Sequence, residues 1–149
     1  MSFHSYSQCW LHLIWGTHKR ESMIDKVAAL KVSKFLFGYA QSKGIFMKAN
    51  FVNADHVHTL INFPTNQTME GLANLLKGAS SHWIGEQKLS CGRFNWGRGY
   101  GVFSVSQSDV PRVCKYIADQ EVHHRKRTFT DEYRLFVERH GLKWHGPED

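Results

Sequence analysis

Apolar and polar residues alternate near the start of the chain, with Cys9, Leu11, Leu13 and Trp15 on one side and Gln8, Trp10 and His12 on the other. Period two predicts a half-buried strand. From about Ser22 to Lys43 the period becomes helical, with Ala28, Val32, Phe35, Leu36 and Tyr39 on one face and Lys26, Lys31 and Lys34 between them. Gly44 supplies the stop. "IFMKANFVNA" and "VHTLINF" predict two short strands joined by a hairpin at Asn53 to Asp55. Pro64 closes the second strand. A helix follows from about Thr68 to Gln87, with Leu72, Leu75, Leu76, Ala79, Trp83 and Ile84 on one stripe and Lys77, Ser80 and Ser81 on the other face.

"SCGRFNWGRGYG" holds four glycines in twelve residues, which predicts a loop, and "YGVFSVS" predicts a strand. Ser108 or Asp109 can cap a helix from about Val110 to Arg125, with Pro111 in its first turn. A last helix runs from Asp131 to His140 and stops at Gly141. The order strand, helix, strand, strand, helix, strand, helix matches the split βαβ pattern of ferredoxin-like, RRM-like domains. The expected fold class is therefore α+β, an antiparallel sheet of about four strands flanked by helices. No repeat, linker or low-complexity segment divides residues 1–149, so a single domain is expected.

Composition narrows the class. At 42% hydrophobic and 21% charged residues the chain is globular. No apolar run reaches the roughly 20 residues of a membrane span, and "MSFHSYSQCW" lacks the layout of a signal peptide, so a cytoplasmic location is expected. Cys9, Cys91 and Cys114 form no C-x-x-C pair and predict reduced, half-buried thiols. The net charge of +6 points towards a polyanionic partner. "HHRKR" at His123 to Arg127 concentrates that charge, whereas the final "GPED" is acidic.

The chemistry centres on "DHVHTLINFP". On a strand, His56 and His58 share a face while Val57, Ile61 and Phe63 turn to the core. Two imidazoles at this spacing can reach one divalent ion, or can simply face water. A hydrolase of the H-x-H-x-D-H type would need Asp and His where Leu60 and Ile61 stand. A histidine-triad nucleotide hydrolase would need a third histidine at Leu60. What remains is a two-histidine site that needs a ligand from elsewhere. The helix after Asp109 offers a second stripe, Arg112, Tyr116, Gln120 and His124 at i, i+4, i+8 and i+12, which could present a nucleophile and a ligand together or be a plain polar face.

Taken together, these motifs resemble the single-tyrosine HUH transposases of small bacterial insertion sequences. "DHVHTLINFP" matches the family's histidine strand, "GYGVFSVSQSDVPRVCKYIADQEVHHRK" its strand and nucleophile helix, "NLLKGASSHWI" its second helix and "HLIWGTHKR" its first strand and turn. The resemblance extends from about Trp10 to Gly141. It implies a DNA transposase that cleaves and rejoins single-stranded DNA through a 5′-phosphotyrosine. Tyr116 would be the nucleophile, with Mg²⁺ or Mn²⁺ bound by His56, His58 and Gln120. It further implies hairpin ends of an insertion sequence as partner, and a homodimer in which the nucleophile helix can complete the partner's site. Asn53-Ala54 stand where members often carry Gly, Met or Pro before Asp-His, a departure expected to alter the hairpin and leave the chemistry intact.

Lys77, Arg93, Arg98, Arg112, Lys115, Arg125 and Lys126 are expected phosphate contacts. In the glycine-rich loop Phe94, Trp96 and Tyr100 alternate with cations, as single-strand platforms do, or else fold back onto the core. Two other readings compete: a non-cleaving nucleic-acid-binding regulator of the same fold, and a metal-dependent nucleotide hydrolase.

Overall fold

The computed structural model describes residues 4–146, so the first three residues, and Pro147 to Asp149 of the acidic end, lie outside the described residues. Four strands, β1 (Trp10–Gly16), β2 (Phe46–Val52), β3 (His56–Asn62) and β4 (Gly101–Val105), form one sheet in the order β2-β3-β1-β4. Every pairing is antiparallel. Among the described residues five α-helices accompany them: α1 (Lys26–Ser42), α2 (Met69–Gln87), α3 (Val110–Ala118), α4 (Gln120–His124) and α5 (Phe129–Arg139). This is the expected α+β architecture. Among the described residues no helix is long and apolar enough to cross a membrane.

Local chemistry sets the helix ends. Asp25 accepts from the Ala28 amide at 2.8 Å at the start of α1, and Thr68 accepts from that of Gly71 at 2.9 Å at the start of α2. Gly44 follows α1 at φ +71°, a conformation that costs a side-chain-free residue little.

Helices α1 and α2 cover one face of the sheet, where Leu11, Leu13, Trp15, Val57 and Ile61 meet Val32, Leu36, Leu72 and Leu76. The opposite face is covered too. Trp10 and Leu60 pack with Val110 and Ile117 of α3, and Ile14 and Phe103 pack with Phe129 of α5. Strand β1 is therefore buried on both sides, Trp10, His12 and Ile14 included, and is not the half-buried strand its alternation predicts. Lys48 is the extra residue at a bulge between Met47 and Ala49, which lets Met47 face α1 and Ala49 face α3.

Three further expectations change. The helix predicted over Val110 to Arg125 breaks at Asp119, whose amide donates to the Lys115 carbonyl and whose own carbonyl accepts from Val122 and His123. One residue thus ends α3 and starts α4. Ser80, predicted on the polar face of α2, is fully buried; its hydroxyl donates to the Leu76 carbonyl and accepts from Trp96 Nε1 at 3.0 Å. Cys9 and Cys91 are exposed thiols, and only Cys114 is half-buried.

Candidate metal and nucleophile site

The residues at the centre come from three segments. In the pairing of β1 with β3, Gly16 lies opposite His56 and Ile14 opposite His58, which puts both imidazoles on the α3–α5 face. Neither meets water: His56 is 1% and His58 0% exposed. Helix α3 brings Tyr116 over the same face, its ring 5.9 Å from that of His58. The break at Asp119 keeps Gln120 and His124 close by, with His124 Nε2 3.1 Å from Gln120 Oε1. His56, His58, Tyr116 and Gln120 are thus one cluster within one chain.

At its middle stands Glu132 of α5, which sequence reasoning missed. Its Oε1 lies 2.9 Å from His58 Nε2, 3.4 Å from His56 Nε2 and 3.3 Å from His124 Nε2. Its Oε2 accepts from the Tyr116 hydroxyl, and from Gln120 Nε2 at 3.4 Å. A signal for it existed: Phe129, Glu132, Tyr133 and Phe136 form an i, i+3, i+4, i+7 stripe, and a carboxylate on an apolar stripe requires buried partners.

Each histidine is held from behind. His56 Nδ1 donates to Asp55 Oδ1 at 2.6 Å, His58 Nδ1 is 2.8 Å from His12 Nε2, and His124 Nδ1 donates to the Arg127 carbonyl at 3.0 Å. All three Nε2 atoms consequently converge. Asn53 does more than shape the hairpin, since its amide nitrogen lies 3.1 Å from His56 Nε2 and donates to Gln120 Oε1 at 3.2 Å. Phe129 stacks on His56 at 4.0 Å and closes the site from the α5 side.

The electrostatics follow from burial and this crowding. Burial lowers His58 to a pKa of about 4 against the pull of Glu132, and burial with neighbouring His58 holds His12 well below its ordinary value. For His56 burial also acts downward, but its bonds to Asp55 and Glu132 outweigh it and the net shift is upward. Burial acts upward on Glu132, yet hydrogen bonds from His124, His56 and His58 pull it well below the usual carboxylate range. Burial, then the bond to Glu132, raises Tyr116 above the ordinary phenol value, so its proton is firmly held. The donor set fits a divalent cation: one ligand atom each from His56, His58, His124 and Glu132 lie within 4.8 Å of one another.

Two clefts flank the cluster. One of about 480 Å³, between β4, α3 and α5, is lined by Tyr116, Arg112 and Arg139, with the buried His12 at its base. The other, of about 550 Å³, runs from Asn53 and His56 to the exposed Arg125, Lys126 and Arg127. Lys115 is exposed on α3, and Arg112 pairs with Asp109 at 3.0 Å. Lys77 instead donates to the carbonyls of Gly97, Arg98 and Gly99 at 2.8, 3.0 and 3.2 Å and staples the glycine-rich loop. In that loop Arg93 and Arg98 are exposed, Phe94 is buried, and Trp96 and Tyr100 pack on the α1–α2 core.

The chain is similar in sequence and fold to known proteins. The chain is 28% identical over 115 residues to the ISDra2 transposase TnpA of Deinococcus radiodurans, a match covering 73% of this chain and 81% of that one. A crystal structure of a protein described as a transposase, from Deinococcus radiodurans R1, superposes with a TM-score of 0.63 at 24% identity, over 80% of this chain and 96% of that one. A REP-associated tyrosine transposase bound to a REP hairpin superposes with a TM-score of 0.57 at 13% identity, over 99% and 92% of the two chains. At these identities the two superpositions establish the fold. The family described as IS200-like transposases matches residues 5–120, from ahead of β1 through Gln120, and this chain belongs to that family.

Proposed function

We propose that this transposase cleaves and rejoins single-stranded DNA, with Tyr116 as nucleophile and a divalent cation, Mg²⁺ or Mn²⁺, held by His56, His58 and Gln120. The observation that carries this reading is the convergence of Tyr116 with both Nε2 atoms of the histidine pair on one carboxylate. A cation bound there supplies positive charge to a scissile phosphate and to the oxygen leaving it.

Tyr116 attacks phosphorus with its phenolic oxygen. The bond to the 3′ oxygen breaks, a 5′-phosphotyrosine forms, and the proton lost by the phenol is balanced by the one gained by the 3′ hydroxyl. A second 3′ hydroxyl reverses the chemistry and reseals the strand, so no nucleotide cofactor is consumed. Tyr116 is held above the ordinary phenol value, so it needs a cation, a base or the substrate to become an effective nucleophile. Arg112 on one cleft and Arg125 and Lys126 on the other are the proposed phosphate contacts. Lys115, Arg93 and Arg98, all exposed, are further proposed contacts, and Lys77 holds the loop that carries Arg98. Hairpin ends of an insertion sequence are the proposed substrate and a homodimer the proposed assembly.

Tyr116→Phe is expected to abolish a denaturation-resistant protein–DNA band formed with labelled single strands and Mg²⁺, while leaving binding of the strand largely intact. A covalent band persisting on the Phe protein removes Tyr116 from the role. A mononucleotide hydrolase would turn over nucleotides without any adduct, and a non-cleaving regulator would give neither product.

A further inference from the structure

The geometry points to Glu132 of α5 as a carboxylate ligand of the divalent cation, bound through Oε1 beside His56, His58 and His124, with Oε2 left to position the Tyr116 hydroxyl. This rests on the reading that a cation occupies the histidine pair, and it extends the ligand set to a helix that begins after the residues matched by the family.

Three observations carry it. The first is spacing. Donors about 2.1 Å from one ion stand roughly 3.0 to 3.4 Å apart at octahedral or tetrahedral angles. Glu132 Oε1 lies 2.9, 3.4 and 3.3 Å from the Nε2 atoms of His58, His56 and His124, so small shifts would admit an ion among them. The second is orientation. The carbonyl of Arg127 can only accept, so His124 carries a hydrogen on Nδ1, and a cation that displaces the Nε2 hydrogen would meet a lone pair directed towards Gln120 Oε1 and Glu132 Oε1. Asp55 likewise takes a hydrogen from His56 Nδ1. Anchoring the far nitrogen of an imidazole so that the near one presents its lone pair is how metal-ligating histidines are held. The third is docking. Glu132 is 2% exposed, and it is carried there by a helix whose Phe129 stacks on His56 and whose Phe136 meets the Tyr116 ring edge-on at 5.6 Å. A carboxylate also changes the chemistry of the site, since two imidazoles and an amide leave both charges of the cation uncancelled and Glu132 removes one of them.

Mn²⁺ titration of the full chain, followed by the paramagnetic resonance of the free ion, reads the site without cleavage. Wild-type protein is expected to bind Mn²⁺, His58→Ala to lose it, and Glu132→Gln to weaken it by about tenfold or more. Binding by Glu132→Gln within about twofold of wild type overturns the assignment. If Gln120→Ala then loses the ion, the histidine pair with Gln120 stands as proposed above and only Glu132 falls. Wild-type protein that binds no Mn²⁺ overturns both. Because a buried change can unfold the chain, wild-type crystals soaked in Mn²⁺ provide a second measurement. An anomalous peak within about 2.3 Å of a Glu132 oxygen supports the ligand, and one lying beyond about 3.5 Å overturns it.

Discussion

His58 is held from both sides, by His12 behind it and Glu132 in front, and it pays for that position in lost hydration. Its pKa of about 4 sits below the ordinary 6.5 of an imidazole released on unfolding. Between these values the unfolded chain binds the extra proton, so this residue's contribution to stability is full above pH 6.5 and is lost as pH falls towards 4. His56, shifted upward, acts in the opposite sense. In EDTA-treated protein, His58→Asn is expected to flatten the fall in stability on acidification by up to about 1.4 kcal/mol per pH unit. Urea unfolding across that range checks this, and equal slopes for the two proteins would remove His58 as the source. Asp55 acts one bond further out. Asp55→Ala is expected to weaken Mn²⁺ binding by about tenfold through loss of the anchor on His56 Nδ1, read by the same resonance titration.

Helix α5 is the element on which the site closes, and two glycines make room for it. A Cβ on Gly16 would stand 2.6 Å from Phe129 Cε2, and one on Gly101 would stand 2.8 Å from Tyr133 Cε1. Both rings lie on the buried stripe that carries Glu132. Gly16→Ala is therefore expected to lift Phe129 from His56 and loosen α5, at a cost of about 1 to 3 kcal/mol. Hydrogen exchange over residues 129–139 should rise while α1 and α2 stay protected; unchanged exchange in α5 would show that the ring is accommodated. The helix itself was visible in the sequence from its period and from Gly141. Its role was not, because nothing along the chain says which helix covers which face of a sheet. The break at Asp119 was hidden for a related reason: the stripe from Arg112 to His124 is uninterrupted, and the bond from Asn53 to Gln120 just past the break joins residues 67 positions apart.

For the molecule as a whole, Tyr116 lies beside the histidine pair of its own chain, with a single residue between α3 and α4. Mixing Tyr116→Phe with His58→Ala protein is therefore expected to leave cleavage unrecovered. Recovery on a denaturing gel would mean that nucleophile helices exchange between copies. The basic surface makes a separate prediction. If Arg125 and Lys126 meet phosphates beside the His56 cleft, replacing both with Ala lowers the slope of log affinity against log salt by up to about 1.4 for single strands. Fluorescence anisotropy of a labelled oligonucleotide measures it, and an unchanged slope would place the strand elsewhere.

By itself the sequence determined what local periodicity and motif spacing can carry: four strands and their helices, the shared face of His56 and His58, the turn between β2 and β3, and the stripe with Tyr116 and Gln120. These depend on neighbours a few residues apart. Tertiary structure decided what depends on residues far apart in the chain. It buried both faces of β1, bonded Lys77 to the carbonyls of the glycine-rich loop, and drew Asn53 beside His56 and Gln120. Above all it set Glu132 against His56, 76 positions earlier in the numbering, because a carboxylate on an apolar stripe finds its partners only when that stripe docks on the sheet.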